Sequence, residues 1–164
     1  MQGTSPEKTP INGTQHGFPK GSPLEALNEF YGALNHRDLQ KTAATWATTG
    51  DATVAGPSGD VERGWPAIEE QYRHLFSGPV KARVELSDYS IHEQGDVFYM
   101  TGYEKGEIAK DGQAAPFRFR TTRIFVKSDG RWKQVHYHGS FGDPKMFAEV
   151  MKMIGPPPQT AHAG

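Results

Sequence analysis

The spacing of apolar residues changes once along this chain. Up to about residue 79 they recur at intervals of three and four, the period of a helix; beyond it they alternate, the period of a strand. Ser22 can cap a first helix, with Pro23 at the first helical position and Glu25 completing a capping box. Leu24, Leu27, Tyr31 and Leu34 then form a stripe that Ala26, Phe30 and Ala33 widen, as a core-facing helix requires. Asn35-His36-Arg37 breaks it. Asp38 can cap a second helix with an apolar face of Leu39, Ala43, Trp46 and Ala47. Ala52-Thr53-Val54-Ala55 reads as a short strand ended by Gly56-Pro57-Ser58-Gly59. A third helix follows Gly64, with Trp65, Ile68, Tyr72, Leu75 and Phe76 on one face and Gly78-Pro79 as its stop.

From Val80 onward four strands are predicted, near 80–92, 97–109, 114–127 and 131–141. Gln94-Gly95-Asp96, Asp111-Gly112 and Asp129-Gly130 connect them, and Asp-Gly pairs suit the positive φ of tight hairpin turns. Sequential hairpins make an antiparallel meander whose concave face needs cover, and three amphipathic helices can supply it. The predicted fold is α+β: three N-terminal helices on a curved antiparallel sheet, forming a cone with an interior pocket. Asp143-Pro144 starts a short C-terminal helix carrying Met146, Phe147, Val150, Met151 and Ile154, expected to close the cone's mouth or pack on a neighbouring subunit.

Composition sets the boundaries. Residues 1–22 and 155–164 are rich in Gly and Pro and poor in large apolar side chains, so both are expected to be flexible, around a single domain over 23–154. Lys and Arg number 18 against 19 Asp and Glu, a net charge of −1, so no strong field draws the whole protein to nucleic acid or an anionic membrane. There is no cysteine, which excludes disulfides and thiolate metal sites. No apolar run approaches the ~20 residues of a membrane span, and no signal-peptide pattern opens the chain, so the expected location is cytoplasmic. Asn12-Gly13-Thr14 is then a chance match to a glycosylation sequon.

Three blocks carry a family resemblance. They are Phe30 to Leu39, Gly64 to Tyr72 (Gly-Trp-Pro-Ala-Ile-Glu-Glu-Gln-Tyr), and the last strand, where Trp132-Lys133-Gln134-Val135-His136-Tyr137-His138-Gly139-Ser140 reads Trp-x-x-Val-His-x-His-x-Ser. In this order and spacing they resemble the SnoaL-like branch of the nuclear transport factor 2-like superfamily, and the last block also resembles the association domain of calcium/calmodulin-dependent protein kinase. The resemblance implies the cone fold, a pocket between helices and sheet, and a homodimer paired through the outer sheet face. It does not imply one activity, since members include enzymes, ligand binders and assembly modules.

Arg123 is the strongest site candidate. The odd positions of its strand read Phe117, Phe119, Thr121, Arg123 and Phe125, an apolar face with a single cation in it. A buried guanidinium needs a partner. Its two-pronged donor geometry suits a ligand carboxylate; an ion pair with Glu69, Glu70 or Glu85, or simple exposure, is the alternative. The resemblance to the kinase association domain implies an interior arginine at this position. Tyr31, Trp46, Trp65, Tyr72, Tyr99, Thr101 and Tyr137 are the other pocket candidates, with Tyr103 beside them, and the bland reading of most is core packing. Trp132, Gln134, His136 and His138, with Ser140, alternate onto one strand face and are the dimer-face candidates. The two histidines could instead hold a metal or move a proton, but no third ligand has diagnostic spacing, so neither a metal nor a cofactor is expected.

Steroid isomerisation is disfavoured: the positions of that mechanism's tyrosine, base and second acid fall at Phe30, Gly56 and near Thr122. The basic residues Arg118, Arg120, Lys127, Arg131 and Lys133 read as a solvated strand surface. The leading expectation is a domain that binds a small, partly apolar, anionic molecule. An isomerase, cyclase or dehydratase using a His or Tyr proton carrier, and an oligomeric assembly module, are the alternatives. No catalytic residue can be named.

Overall fold

The computed structural model describes residues 9–155 and the backbone of Gln2 and Gly3; the expected loose tail after Gly155 lies outside the described residues, as do residues 1 and 4–8. Helix α1 (Pro23–Asn35) starts where its cap predicts, with the Ser22 hydroxyl accepting the Glu25 N–H at 3.2 Å. Glu25 reaches the Gly21 N–H instead of that of Ser22, which is already bonded to the Pro19 carbonyl. Leu27, Phe30, Tyr31 and Ala33 are the buried face.

Helix α2 (Leu39–Thr45), capped by Asp38, is shorter than its apolar pattern suggested. Trp46 is extended, with φ −102° and ψ 152°, and pairs as an isolated parallel bridge with Gln134. Leaving the helix turns its indole inward, at 1% exposure. Strand β2 (Thr53–Ala55) was anticipated; β3 (Val61–Arg63), hairpinned to it, was not. Helix α3 (Trp65–Ser77) buries Ile68 and Tyr72, keeps Trp65 and Phe76 half-buried, and leaves the predicted stripe residue Leu75 exposed.

The meander is β4 (Lys81–Gln94), β5 (Val97–Lys110), β6 (Gln113–Ser128) and β7 (Arg131–Phe141). Both Asp-Gly turns take positive φ at both residues, 51° and 76° at Asp111-Gly112 and 51° and 75° at Asp129-Gly130, the hairpin geometry those pairs favour. With the short β1 (Gln2–Gly3), the curved open sheet runs β1-β4-β5-β6-β7-β2-β3, and β2 joins β7 in parallel. One face of the meander, carrying Phe98, Met100, Phe125 and Trp132, packs with α1 residues into the main core. Helix α4 (Pro144–Ile154) packs on β5, β6 and β7, with Val150 buried against Ile108 and Phe117, and so covers the far end of that same face.

Two expectations change here. Residues 9–22 are not loose. Ile11 is fully buried and exchanges both backbone hydrogen bonds with Leu86, at 3.0 and 2.8 Å. Gly13 lies so close to α1 that an added Cβ would meet the Gly32 Cα at 2.1 Å. One buried isoleucine and a paired backbone anchor a segment whose average composition suggests disorder. The last strand also does not alternate throughout. The β6–β7 register shifts so that Phe125 pairs with Gln134 and Ile124 with His136, leaving Val135 as the extra residue of a bulge.

Candidate functional site

That bulge decides what faces the interior. Before it, Trp132 and Gln134 point inward; after it, Tyr137 and Gly139 do, while His136, His138 and Ser140 face outward. Trp132 at 7% and Gln134 at 0% exposure are therefore core residues, and the expected dimer face loses them. Of the pocket candidates, Tyr99 and Thr101 lie on the opposite face of β5 from Phe98 and Met100. Tyr99 stacks on His92 with ring centroids 4.5 Å apart, and Thr101 is exposed. Tyr103 is on that outer face too, under the Arg118 guanidinium. Strand alternation alone explains the loss of all three.

Arg123, Tyr31, Trp46, Tyr72 and Tyr137 are brought together, with Trp65 at the margin. The Arg123 guanidinium is almost completely buried. Its counter-charge is none of the acids expected. Glu69 and Glu70 pair with Arg73 on the surface, and Glu85 with Lys105. The partner is Glu104 of β5, whose Oε1 accepts from Arg123 Nη2 at 2.6 Å and Nε at 3.1 Å. Tyr31 donates to the same oxygen at 2.7 Å, and Tyr137 to Oε2 at 2.9 Å. Arg123 Nη1 donates to Gln134 Oε1. The guanidinium carbon lies 4.1 Å from the centre of the Phe30 ring and 4.0 Å from that of Tyr137.

Gly139 makes the Tyr137 contact possible: a Cβ there would sit 2.2 Å from the Tyr137 hydroxyl. Burial, reinforced by the Glu104 charge, raises the pKa of Tyr31 and of Tyr137 well above the usual phenol value, so both are neutral hydrogen-bond donors. Burial likewise raises Tyr72. Burial disfavours the Arg123 charge, but Glu104 outweighs it and the pKa ends above its ordinary value.

Glu104, which the sequence reading did not single out, and Gln134, which it placed on the dimer face, complete this interior cluster. A signal existed for the first. The inward positions of β5 read Phe98, Met100, Gly102, Glu104, Gly106 and Ile108, an apolar face with one acid in it, the mirror of the pattern that singled out Arg123. Gln134 was assigned outward because nothing local marks the bulge.

Beside the ion pair lies a corner with unused donors. Arg123 has only N–H groups, so Gln134 must turn Oε1 toward it, which aims Nε2 elsewhere. That Nε2 is buried without a hydrogen-bond partner, and the Trp46 Nε1 is buried without a well-aligned one, its N–H reaching only the Tyr72 hydroxyl beside it. The bridge between Trp46 and Gln134 places the two residues side by side, and Trp46 packs edge-on against Tyr72, with ring centres 6.2 Å apart. Trp65 and Phe76 extend the aromatic wall along α3. On the outer face a separate polar groove of about 430 Å³ is lined by Asp88, Ser90, Thr101, Thr122, His138 and Ser140. His136 lies near it, with Nδ1 2.6 Å from Thr53 Oγ1. Among the described residues no group of three or more His, Asp or Glu side chains is placed to hold a metal, and no helix is long and apolar enough to cross a membrane.

The SnoaL-like domain profile matches residues 24–144, from the start of α1 to the start of α4. The chain belongs to the SnoaL-like family. Similar solved structures include a nuclear transport factor 2-like superfamily protein from Salmonella enterica serovar Typhimurium, with TM-score 0.64, 19% identity, and coverage of 85% of this chain and 92% of that one. A candidate dehydratase of the NTF2-like family from Streptomyces avermitilis gives 0.62, 18%, 71% and 91%. A candidate calcium/calmodulin-dependent protein kinase type II association domain from Thiobacillus denitrificans gives 0.59, 22%, 79% and 100%. These likenesses establish the fold of the SnoaL-like domain alone. Among curated proteins, the F-box protein SKIP8 of Arabidopsis thaliana is 24% identical over 133 residues, 80% of this chain and 55% of that protein. The chain spans about half the length of that relative.

Proposed function

We propose that this SnoaL-like domain binds a small, partly apolar molecule inside its cone, at the corner formed by Trp46, Tyr72 and Gln134 beside Arg123. The observation that carries this reading is Gln134 Nε2, a fully buried donor without a partner, beside Trp46 Nε1, whose N–H has only the Tyr72 hydroxyl within reach and no well-aligned acceptor. Each unsatisfied buried donor costs about 1–3 kcal/mol, which an acceptor on a ligand would recover. Aromatic rings supply the apolar wall. The proton-carrier alternative has less support. His136 and His138 face outward, and the interior tyrosines are held protonated.

A thermal-shift screen of small aromatic carbonyl compounds and acids against wild type and Trp46→Phe tests the reading. The substitution keeps an aromatic ring at the position, though a smaller one, and deletes one donor. A compound that raises the wild-type melting temperature is expected to lose most of its shift in Trp46→Phe. Equal shifts in both proteins would remove the site from this corner.

A second reading concerns assembly. Half-buried Tyr99, Tyr103 and Ile124 lie on the outer face of the meander around the polar groove, and on that basis we propose that two copies pair there. Sedimentation of wild type and Thr122→Arg should show a dimer that the added charge dissociates; a wild-type monomer at micromolar concentration contradicts it.

A further inference from the structure

The interior site pairs a cation with an internal anion, and this bears on which ligands it admits. We infer that Glu104 is a specificity-determining residue: by neutralising Arg123 from within, it restricts the interior corner to uncharged, acceptor-bearing ligands such as ketones and excludes carboxylates. This rests on the interior-site reading above and names its ligand class.

Glu104 Oε1 lies 2.6 Å from Arg123 Nη2 and Oε2 takes the Tyr137 hydroxyl, so the arginine, both tyrosines and the carboxylate form a closed set with no net charge. An arginine flanked by tyrosine hydroxyls is an arrangement that would otherwise hold a ligand carboxylate. Here β5 supplies that carboxylate, and both members of the pair are only 3% exposed. A second anion beside them would meet the attraction of Arg123 largely cancelled by Glu104, and would enter a water-poor interior as an uncompensated charge. The groups free to meet a ligand at the corner are Gln134 Nε2, which has no partner, and Trp46 Nε1, which has no well-aligned one; both are neutral donors. They call for an oxygen acceptor that brings no charge. Glu104 touches no ligand in this scheme. It acts through Arg123, and Arg123 in turn fixes which end of the Gln134 amide faces the corner.

Acetophenone and benzoate are suitable probes, since each is a phenyl ring with a small planar head and they differ in charge. The readout is the indole N–H resonance of Trp46 in ¹⁵N-labelled protein, identified by its absence from Trp46→Phe, titrated with each probe. In wild type, acetophenone is expected to move that resonance, with benzoate binding at least tenfold more weakly. In Glu104→Gln, which keeps the shape and removes the charge, benzoate is expected to gain at least tenfold while acetophenone changes less than about threefold. A purely structural role for Glu104 would weaken both probes together and would overturn the inference. Benzoate binding wild type within tenfold of acetophenone would also overturn it, leaving the interior site intact. If neither probe moves the Trp46 resonance in either protein, the interior-site reading fails and this inference with it. Should Glu104→Gln not fold, Glu104→Met, neutral and of similar length, takes its place with the same expected gain for benzoate.

Discussion

At the scale of single residues, the cost of the interior lies in its buried charges. Removing one member of a buried ion pair leaves the other uncompensated, at roughly 3–5 kcal/mol, whereas replacing both with apolar groups is often close to neutral. Arg123→Met alone is therefore expected to lower stability by about that amount, and Arg123→Met with Glu104→Leu by clearly less, in urea denaturation. A double variant as unstable as the sum of the singles would show that Glu104 is not the counter-charge. Gly139→Ala tests the geometry from another side. Its Cβ would collide with the Tyr137 hydroxyl and break the bond to Glu104, so a loss of about 2 kcal/mol is expected. Gly142→Ala, whose Cβ meets nothing nearer than 3.9 Å, should cost little. Arg123 was legible because a lone cation stood in an apolar register. Its partner was not, because no local pattern says which acid of a distant strand will face it.

At the scale of elements, most of the secondary structure follows from caps, periods and turn pairs. The failures are at ends and irregularities. Helix α2 stops one residue short of Trp46, and the bulge at Val135 reverses half of β7. Both depend on pairing between Trp46, Gln134 and β6, contacts distant in sequence. Helix α4 packs on this same chain through Val150, while Phe147, expected on its apolar face, is exposed. Val150→Ala should destabilise the protein by about 2 kcal/mol, as truncation of a buried aliphatic side chain does, and Phe147→Ser, at an exposed position, by much less. Comparable losses from both, by chemical denaturation, would mean that the helix packs on something other than Ile108 and Phe117.

At the scale of the whole molecule, acid stability should carry the signature of one histidine. Burial, and secondarily the neighbouring His138, lowers the pKa of His136 below its ordinary value. The unfolded chain then binds the proton more readily than the folded one. The His136 contribution is complete above about pH 6.5, the unperturbed value, and declines as pH falls from there through the folded-state pKa. His136→Gln should flatten that part of the stability–pH curve in urea titrations between pH 5 and 7. An unchanged slope would place the titration elsewhere.

The sequence by itself determined the order of the helices and of the four long strands, the turns, the capped helix starts and the family, because each rests on local spacing or on short blocks in a fixed order. It also marked Arg123, since burial can be read from strand register. Tertiary structure alone decided that Glu104 and not a ligand supplies the counter-charge, that Gln134 turns inward and Tyr99 and Thr101 outward, and that Ile11 anchors the first segment. Those outcomes depend on which strands become neighbours and on a single extra residue in one of them. A one-residue shift in a strand exchanges its two faces, and pairing between distant segments, not local spacing, sets that shift.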